Sequence, residues 1–312
     1  MSYTEAELNA VQEYFKFLRP QPIEKDWQVV RALAAILSIK TAPFTLVFAG
    51  GTALARAHRL VRRMSEDVDL KIVPTEILSR NQLRRQLSEL RAAVTTVLQS
   101  AGFAIDPADK KQISSRDENH YTVYHLPYDE SGSVPHGLKP TIQIELTYAA
   151  LRSKPVILPV RSFIAEAFDR LPELPAVTCV SVVETAAEKL VGLTRRIAME
   201  LAGASRVPDP TLVRHIYDLH MIQHNIDSSR VAELAREISI NDAEEFKNQY
   251  PAYASDSTGE TRKSITALEN DPIYRERYTS FLVSMVYGER PDYDAAFGTI
   301  KELVDLYLRT SA

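Results

Sequence analysis

A chain of 312 residues is long enough to bury one large core or two ordinary ones, and 45% hydrophobic, 25% charged and 8% aromatic residues make it a folded globular protein. A net charge of −4 excludes a protein that coats nucleic acid broadly, which takes a large basic surface, but leaves room for a local basic groove. The acidic start "MSYTEAELNAVQEYF" lacks the basic-then-apolar order of a secretory signal, and no apolar run approaches the roughly 18 residues of a membrane span, so a cytoplasmic location without membrane contact is expected.

In chain order, residues 4–19 and 22–39 are predicted as helices, the second with Val29, Leu33, Ile36 and Leu37 on one apolar face. "FTLVFAG" is a buried strand that stops at glycine, and "TALARAHRL" is a short helix. In "DVDLKIV" the alternation of a strand sends Val68, Leu70 and Ile72 to one side and Asp67, Asp69 and Lys71 to the other. A long polar helix is predicted from Glu76 to Gln99, capped by Gly102. Strands are predicted at Phe103–Asp106, Tyr121–Leu126 and Thr141–Tyr148, with "YDESGSVPHGLKP" as the hairpin loop between the last two. "VILPV" adds an edge strand, because Pro159 would break a central ladder. From about Ser181 the pattern is helical almost without strands. The "LPELPAV" segment therefore divides the chain into an α/β (α+β) domain, residues 1–175, and a helical bundle, residues 176–312. The single cysteine, Cys179, excludes an internal disulfide and reads as a small buried hydrophobe.

Asp67 and Asp69 project from one strand face roughly 7 Å apart, and two like charges so placed are best explained by a divalent cation between them, held by hard oxygen ligands. Glu145 lies in an otherwise apolar strand, where an unpaired acid is costly. If its strand neighbours that of the two aspartates, three carboxylates meet, as in a two-metal phosphoryl-transfer centre. Gly50 and Gly51 would then let backbone N–H groups approach a phosphate, with the helix after Thr52 aiming its positive end there. Arg56, Arg59, Arg62 and Arg63, between turn and strand, are either a solvated face or contacts for triphosphate or RNA backbone.

These residues resemble a known family. Gly-Gly-Thr after a strand, Ser-x-Asp-x-Asp on the next strand and a lone acid on a later one look like the nucleotidyltransferase superfamily of DNA polymerase β type. More narrowly, "GGTALARAHRLVRRMSEDVDL", with "EKLVGLTRR" and "RHIYDL" far downstream, resembles the AbiEii/AbiGii-type nucleotidyltransferase toxins of bacterial toxin–antitoxin and phage-defence systems, over residues 45–225. The resemblance implies a nucleotidyltransferase-type mixed sheet and a helical domain that closes the active-site cleft. It implies that Gly50, Gly51 and Thr52 hold phosphate, that Asp67 and Asp69 bind Mg²⁺ (or Mn²⁺) with Glu145 as the third acid, and that Lys189 contacts the nucleotide. Asp218 belongs to its last motif, in which this chain has Arg214-His215 where the family commonly has Arg-Asp. The implied reaction moves a nucleoside monophosphate from an NTP to an acceptor hydroxyl, the 3′ end of tRNA or another RNA. The implied protein partner is an antitoxin encoded by an adjacent gene. In part of the family a kinase-like antitoxin phosphorylates a serine beside the catalytic acids, and Ser65 stands there; the plain alternative is a serine bonding nearby backbone. The rival functions are a small-molecule, antibiotic-modifying nucleotidyltransferase and a catalytically silent NTP-binding protein.

Lys189 and Arg196 are seven apart and so share a helical face within about 20°, which Arg195 does not; that face is either a solvated stripe or, with Arg196, a nucleotide contact. Arg214 and Asp218, four apart, read plainly as a surface ion pair, and only the resemblance makes them site residues. His58, His120, His125, His136, His215, His220 and His224 show no metal-ligand spacing.

Overall fold

The computed structural model describes residues 3–128, 138–204 and 208–309, so the expected hairpin loop, with His136, lies largely outside the described residues. The chain divides into two compact units, Met1–Val180 and Ser181–Ala312.

In the first unit, helices α1 (Glu5–Phe15) and α2 (Gln21–Leu37) precede β1 (Phe44–Ala49), α3 (Gly50–Arg56), β2 (Asp67–Pro74) and α4 (Arg80–Ser100). Then come β3 (Ile113–Arg116), β4 (Tyr121–Pro127), β5 (Thr141–Tyr148), β6 (Val156–Val160), α5 (Phe163–Ala167) and β7 (Leu174–Cys179). The strands form one mixed sheet in the order β3-β4-β5-β2-β1-β7-β6. Strands β2 and β5 run parallel, as do β1 and β7, and the other pairs are antiparallel. This is the mixed α/β class that the sequence implies.

The strand alternation decides what each sheet face carries. Leu46 and Phe48 of β1, Val68, Leu70 and Ile72 of β2, and Ile142, Ile144 and Leu146 of β5 join one core with Leu33 and Ile36 of α2 and Leu90, Val94 and Leu98 of α4. Burying each such side chain contributes about 1.5–3 kcal/mol, so this face fixes the register of β2 against β5. The opposite face receives Asp67 and Asp69 of β2 and Gln143 and Glu145 of β5, next to a small apolar cluster of Val47, Ala49 and Val180.

Two expectations fail here for physical reasons. Residues Phe103–Asp106 form no strand, although Phe103 and Ile105 are buried in the core. Their backbone is bonded elsewhere: Phe103 N–H donates to Leu98 O, Gln99 Nε2 to Ile105 O, and Asp106 N–H to Gln112 Oε1. The expected boundary at 176 falls inside β7, which pairs with β1 and β6, so the strand belongs to the first unit. The edge position of "VILPV" is as expected.

The second unit comprises α6 (Val182–Leu201), α7 (Arg214–Ile222), α8 (Ser228–Glu245), α9 (Pro251–Ser255), α10 (Ser257–Asn270), α11 (Pro272–Met285) and α12 (Tyr293–Leu308). Helix α6 starts where the Ser181 hydroxyl accepts the Glu184 N–H, and it packs against α7, α8 and α10. Its Leu190, Leu193 and Ile197 are buried, as are Ile216 and Leu219 of α7.

Candidate active site

Strand β1 ends at Ala49, and Gly50 turns the chain with a φ of +72°. A Cβ at Gly50 would lie 1.8 Å from Asp69 Oδ2, so only glycine lets the turn sit this close to the carboxylate strand. At Gly51 a Cβ would lie 2.3 Å from Arg63 Nη2 and 3.3 Å from Ser65 Oγ. The missing side chain makes room for a buried guanidinium, whose Nη1 donates to Met64 O at 2.8 Å. The Thr52 hydroxyl is buried and bonded to Ser65 Oγ at 2.8 Å and to the carbonyl of Asp67. Thr52 thus ties the turn to the start of β2, and Ser65 lies at that junction, half-buried.

On the polar sheet face Asp67 stands opposite Gln143 and Asp69 opposite Glu145, because β2 and β5 pair in parallel. The three carboxylates are half-buried. Glu145 accepts hydrogen bonds from the Gln143 amide and from the Tyr121 hydroxyl. The Tyr121 phenol is pushed well above its ordinary range by burial and by the charge of Glu145. Asp67 faces Lys139, whose Nζ lies 2.9 Å from Oδ1 and 3.1 Å from Oδ2, and 3.1 Å from Gln143 Oε1.

As the side chains stand, no three His, Cys, Asp or Glu residues converge as a metal-holding group among the described residues. Asp67 is turned to an ammonium and Glu145 to an amide and a phenol. The donor chemistry nonetheless suits a hard divalent ion: two aspartates two residues apart on one strand face, a third acid beside Asp69, and a cation already bound by Asp67.

The basic segment splits. Arg56 is buried, 2.9 Å from Asp26 and over the ring of Phe163, and Arg59 pairs with Glu166 at 3.3 Å. Arg63 lies under the turn, and Arg62 is exposed. Arg56 is therefore a packing residue, while Arg63 brings positive charge to the glycine turn.

In the second unit Lys189 and Asp218 form a buried ion pair at 2.8 Å. The expected partner of Asp218, Arg214, donates instead to Thr211 Oγ1 at 2.9 Å. Arg196 reaches Asp209 Oδ2 at 2.7 Å, and Arg195 leaves in another direction, to Asp242 at 2.8 Å. Lys189 and Arg196 thus share a side of α6 that Arg195 does not. Both ring nitrogens of His215 are buried without a hydrogen-bond partner, and burial together with the charges of Lys189 and Arg214 holds the imidazole well below its ordinary pKa. Cys179 is buried, and burial pushes its thiol up to about 12, as the sequence reading of a small hydrophobe requires.

Sequence reasoning did not find Lys139, Gln143 or Tyr121 as parts of the site. Gln143 shares the face of Glu145 and was visible only as its neighbour. Lys139 sits outside any strand pattern, two residues before β5, and its place beside Asp67 depends on contacts of its peptide with Glu66 and Lys25, which are far away in sequence.

The family model for the AbiEii toxin, a nucleotidyl transferase of type IV toxin–antitoxin systems, matches residues 31–299. Among solved structures, the chain is similar to MenT4, a nucleotidyltransferase toxin from Mycobacterium tuberculosis H37Rv, with a TM-score of 0.59 and 16% identity, over 100% of this chain and 91% of that one. At that identity the likeness is one of fold. No curated protein matches the chain in sequence.

Proposed function

The chain belongs to the AbiEii family of nucleotidyltransferase toxins, and from that membership we propose that it transfers a nucleoside monophosphate from an NTP to an RNA hydroxyl, with the 3′ end of tRNA as acceptor and growth arrest as the outcome. The observation that carries this reading is the contact between turn and carboxylate strand: Gly50 abuts Asp69, and Asp69 stands opposite Glu145. A phosphate-approaching turn and acids on one sheet face are what nucleotidyl transfer needs side by side.

In this reading the acceptor oxygen attacks the α-phosphorus, the bond from that phosphorus to the bridging oxygen of the β-phosphate breaks, and pyrophosphate leaves. The acceptor's proton passes to the Glu145 carboxylate, which Gln143 and Tyr121 hold in place. Asp67 and Asp69 would hold Mg²⁺, with Glu145 adjacent; the ion would neutralise charge that develops on the triphosphate. Gly50 and Gly51 would admit the phosphates, with Thr52 and Ser65 fixing the turn and Arg63 supplying positive charge beside Gly51. Lys189, oriented by Asp218, is the nucleotide contact proposed for the helical unit, with Arg196, held by Asp209, and Arg214, held by Thr211, as further candidates. The partner is an antitoxin, as befits a type IV system.

The test is label transfer from α-labelled NTPs, with Mg²⁺ or Mn²⁺, to total tRNA or to aminoglycosides. Label on tRNA that is lost in Asp69→Asn supports the reading. Label on aminoglycosides alone makes the protein a small-molecule nucleotidyltransferase, and no transfer to either makes it a silent binder.

A further inference from the structure

The peptide of Lys139 is clamped at both ends. Its N–H donates to Glu66 Oε2 at 2.7 Å, and its carbonyl accepts from Lys25 Nζ at 2.5 Å. Lys25 and Glu66 are themselves an ion pair, with 0% and 9% of their side chains exposed. Burial of an ion pair is costly and is repaid only by good geometry and further hydrogen bonds, which here go to one peptide at the head of β5. The outcome is positional: the Lys139 side chain starts from a fixed point and ends with its ammonium across both oxygens of Asp67. The tip is not locked in, since 40% of the side chain is exposed and a lysine has four rotatable bonds.

We propose that Lys139 is a resident counter-ion of the site, a positioning residue whose ammonium holds Asp67 until a divalent cation displaces it. The inference rests on the proposed reading of Asp67 as a metal ligand. An ammonium and a divalent ion cannot share the same two oxygens without strong repulsion, so ion binding requires Lys139 to swing away. The free protein therefore binds the ion alone weakly. A triphosphate that arrives with the ion brings the negative charge that offsets the displaced pair, so ion loading is coupled to nucleotide binding.

The experiment measures Mn²⁺ binding to the full chain without nucleotide, by the paramagnetic resonance signal of free Mn²⁺. Lys139→Met keeps an unbranched stem one atom shorter and removes the charge; it is expected to bind Mn²⁺ about tenfold more tightly than wild type, equivalent to about 1.4 kcal/mol. Lys139→Gln should do the same, and Lys139→Arg should stay near the wild-type value. Far-UV circular dichroism confirms folding of each variant. Equal Mn²⁺ affinity in wild type and both neutral variants, with binding still abolished by Asp67→Asn, would overturn the counter-ion role alone. Mn²⁺ binding that Asp67→Asn leaves unchanged would overturn the metal assignment and this inference together.

Discussion

Two lysine–aspartate pairs of nearly equal length stand in different surroundings. Lys139 and Asp67 meet at 2.9 Å with 40% and 20% of their side chains exposed; Lys189 and Asp218 meet at 2.8 Å with 7% and 0% exposed. Water screens the first and not the second, so the same chemistry has opposite consequences. The exposed pair contributes little to stability and can exchange its cation, whereas the buried pair cannot lose a partner without stranding a charge in the interior. Distance alone would not have distinguished a replaceable counter-ion from a fixed one.

The largest effect expected from this contrast is on stability. Asp218→Ala leaves the Lys189 ammonium buried and should cost about 3–5 kcal/mol in urea unfolding. Asp67→Ala should change the same measurement by less than ~1 kcal/mol. The double variant Lys189→Met/Asp218→Leu should recover most of the loss, since it removes both buried charges. Equal losses for Asp218→Ala and Asp67→Ala would mean that burial does not set the two pairs apart.

In Gly50→Ala the new Cβ meets Asp69 Oδ2 at 1.8 Å on a backbone with φ of +72°, so the substitution should cost roughly 1–3 kcal/mol and displace the Asp69 carboxylate. Gly192, within α6, has nothing beyond its own helix within 4 Å of its would-be Cβ, and Gly192→Ala should stabilise by about 0.5–1 kcal/mol. Thermal unfolding of the two variants checks both signs.

A smaller effect concerns pH. Asp26 is buried beside Arg56, and burial outweighs that guanidinium, raising its carboxyl to about 6 from an ordinary 3.8. The folded chain then holds this proton more tightly than the unfolded one, so the contribution of Asp26 to stability is greatest below 3.8 and falls as pH rises through about 6. Unfolding of wild type and Asp26→Asn at several pH values across this window should show the gap between them changing in that direction. A constant gap would mean that Arg56 holds Asp26 ionised throughout.

Much of the architecture follows from local pattern. The alternation in β2 separates Val68, Leu70 and Ile72 from Asp67 and Asp69, and the same alternation in β5 isolates Glu145. The elements that escape are those whose backbone bonding is not written in hydrophobic order. Strand β3 carries three exposed polar residues, Ser114, Ser115 and Arg116, and gains its ladder only from β4. Strand β7 begins amid prolines that read as a linker. Phe103 and Ile105 alternate like a strand yet bury their side chains from a loop. For the site, the aspartates, the glycine turn and Glu145 were legible because each is costly or unusual in its local setting. Lys139, Tyr121 and the Lys189–Asp218 pairing depend on contacts distant in sequence, and Lys139, between Leu138 and Pro140, looks like any surface lysine. His215 shows the converse: its departure from the family pattern was visible, but its unpartnered burial was not.

If the carboxylate face of β2 performs nucleotidyl transfer, Asp69→Asn should expose it, because the substitution removes one charge while keeping the volume of the side chain. Transfer of label from α-labelled NTP to total tRNA should fall by about 10²–10³ or more, as when a preorganised charge is lost from an active site. Its unfolding midpoint in the absence of metal should equal or slightly exceed that of wild type, since repulsion with Asp67 and Glu145 is relieved. A folded Asp69→Asn protein that labels tRNA at the wild-type rate would contradict the account.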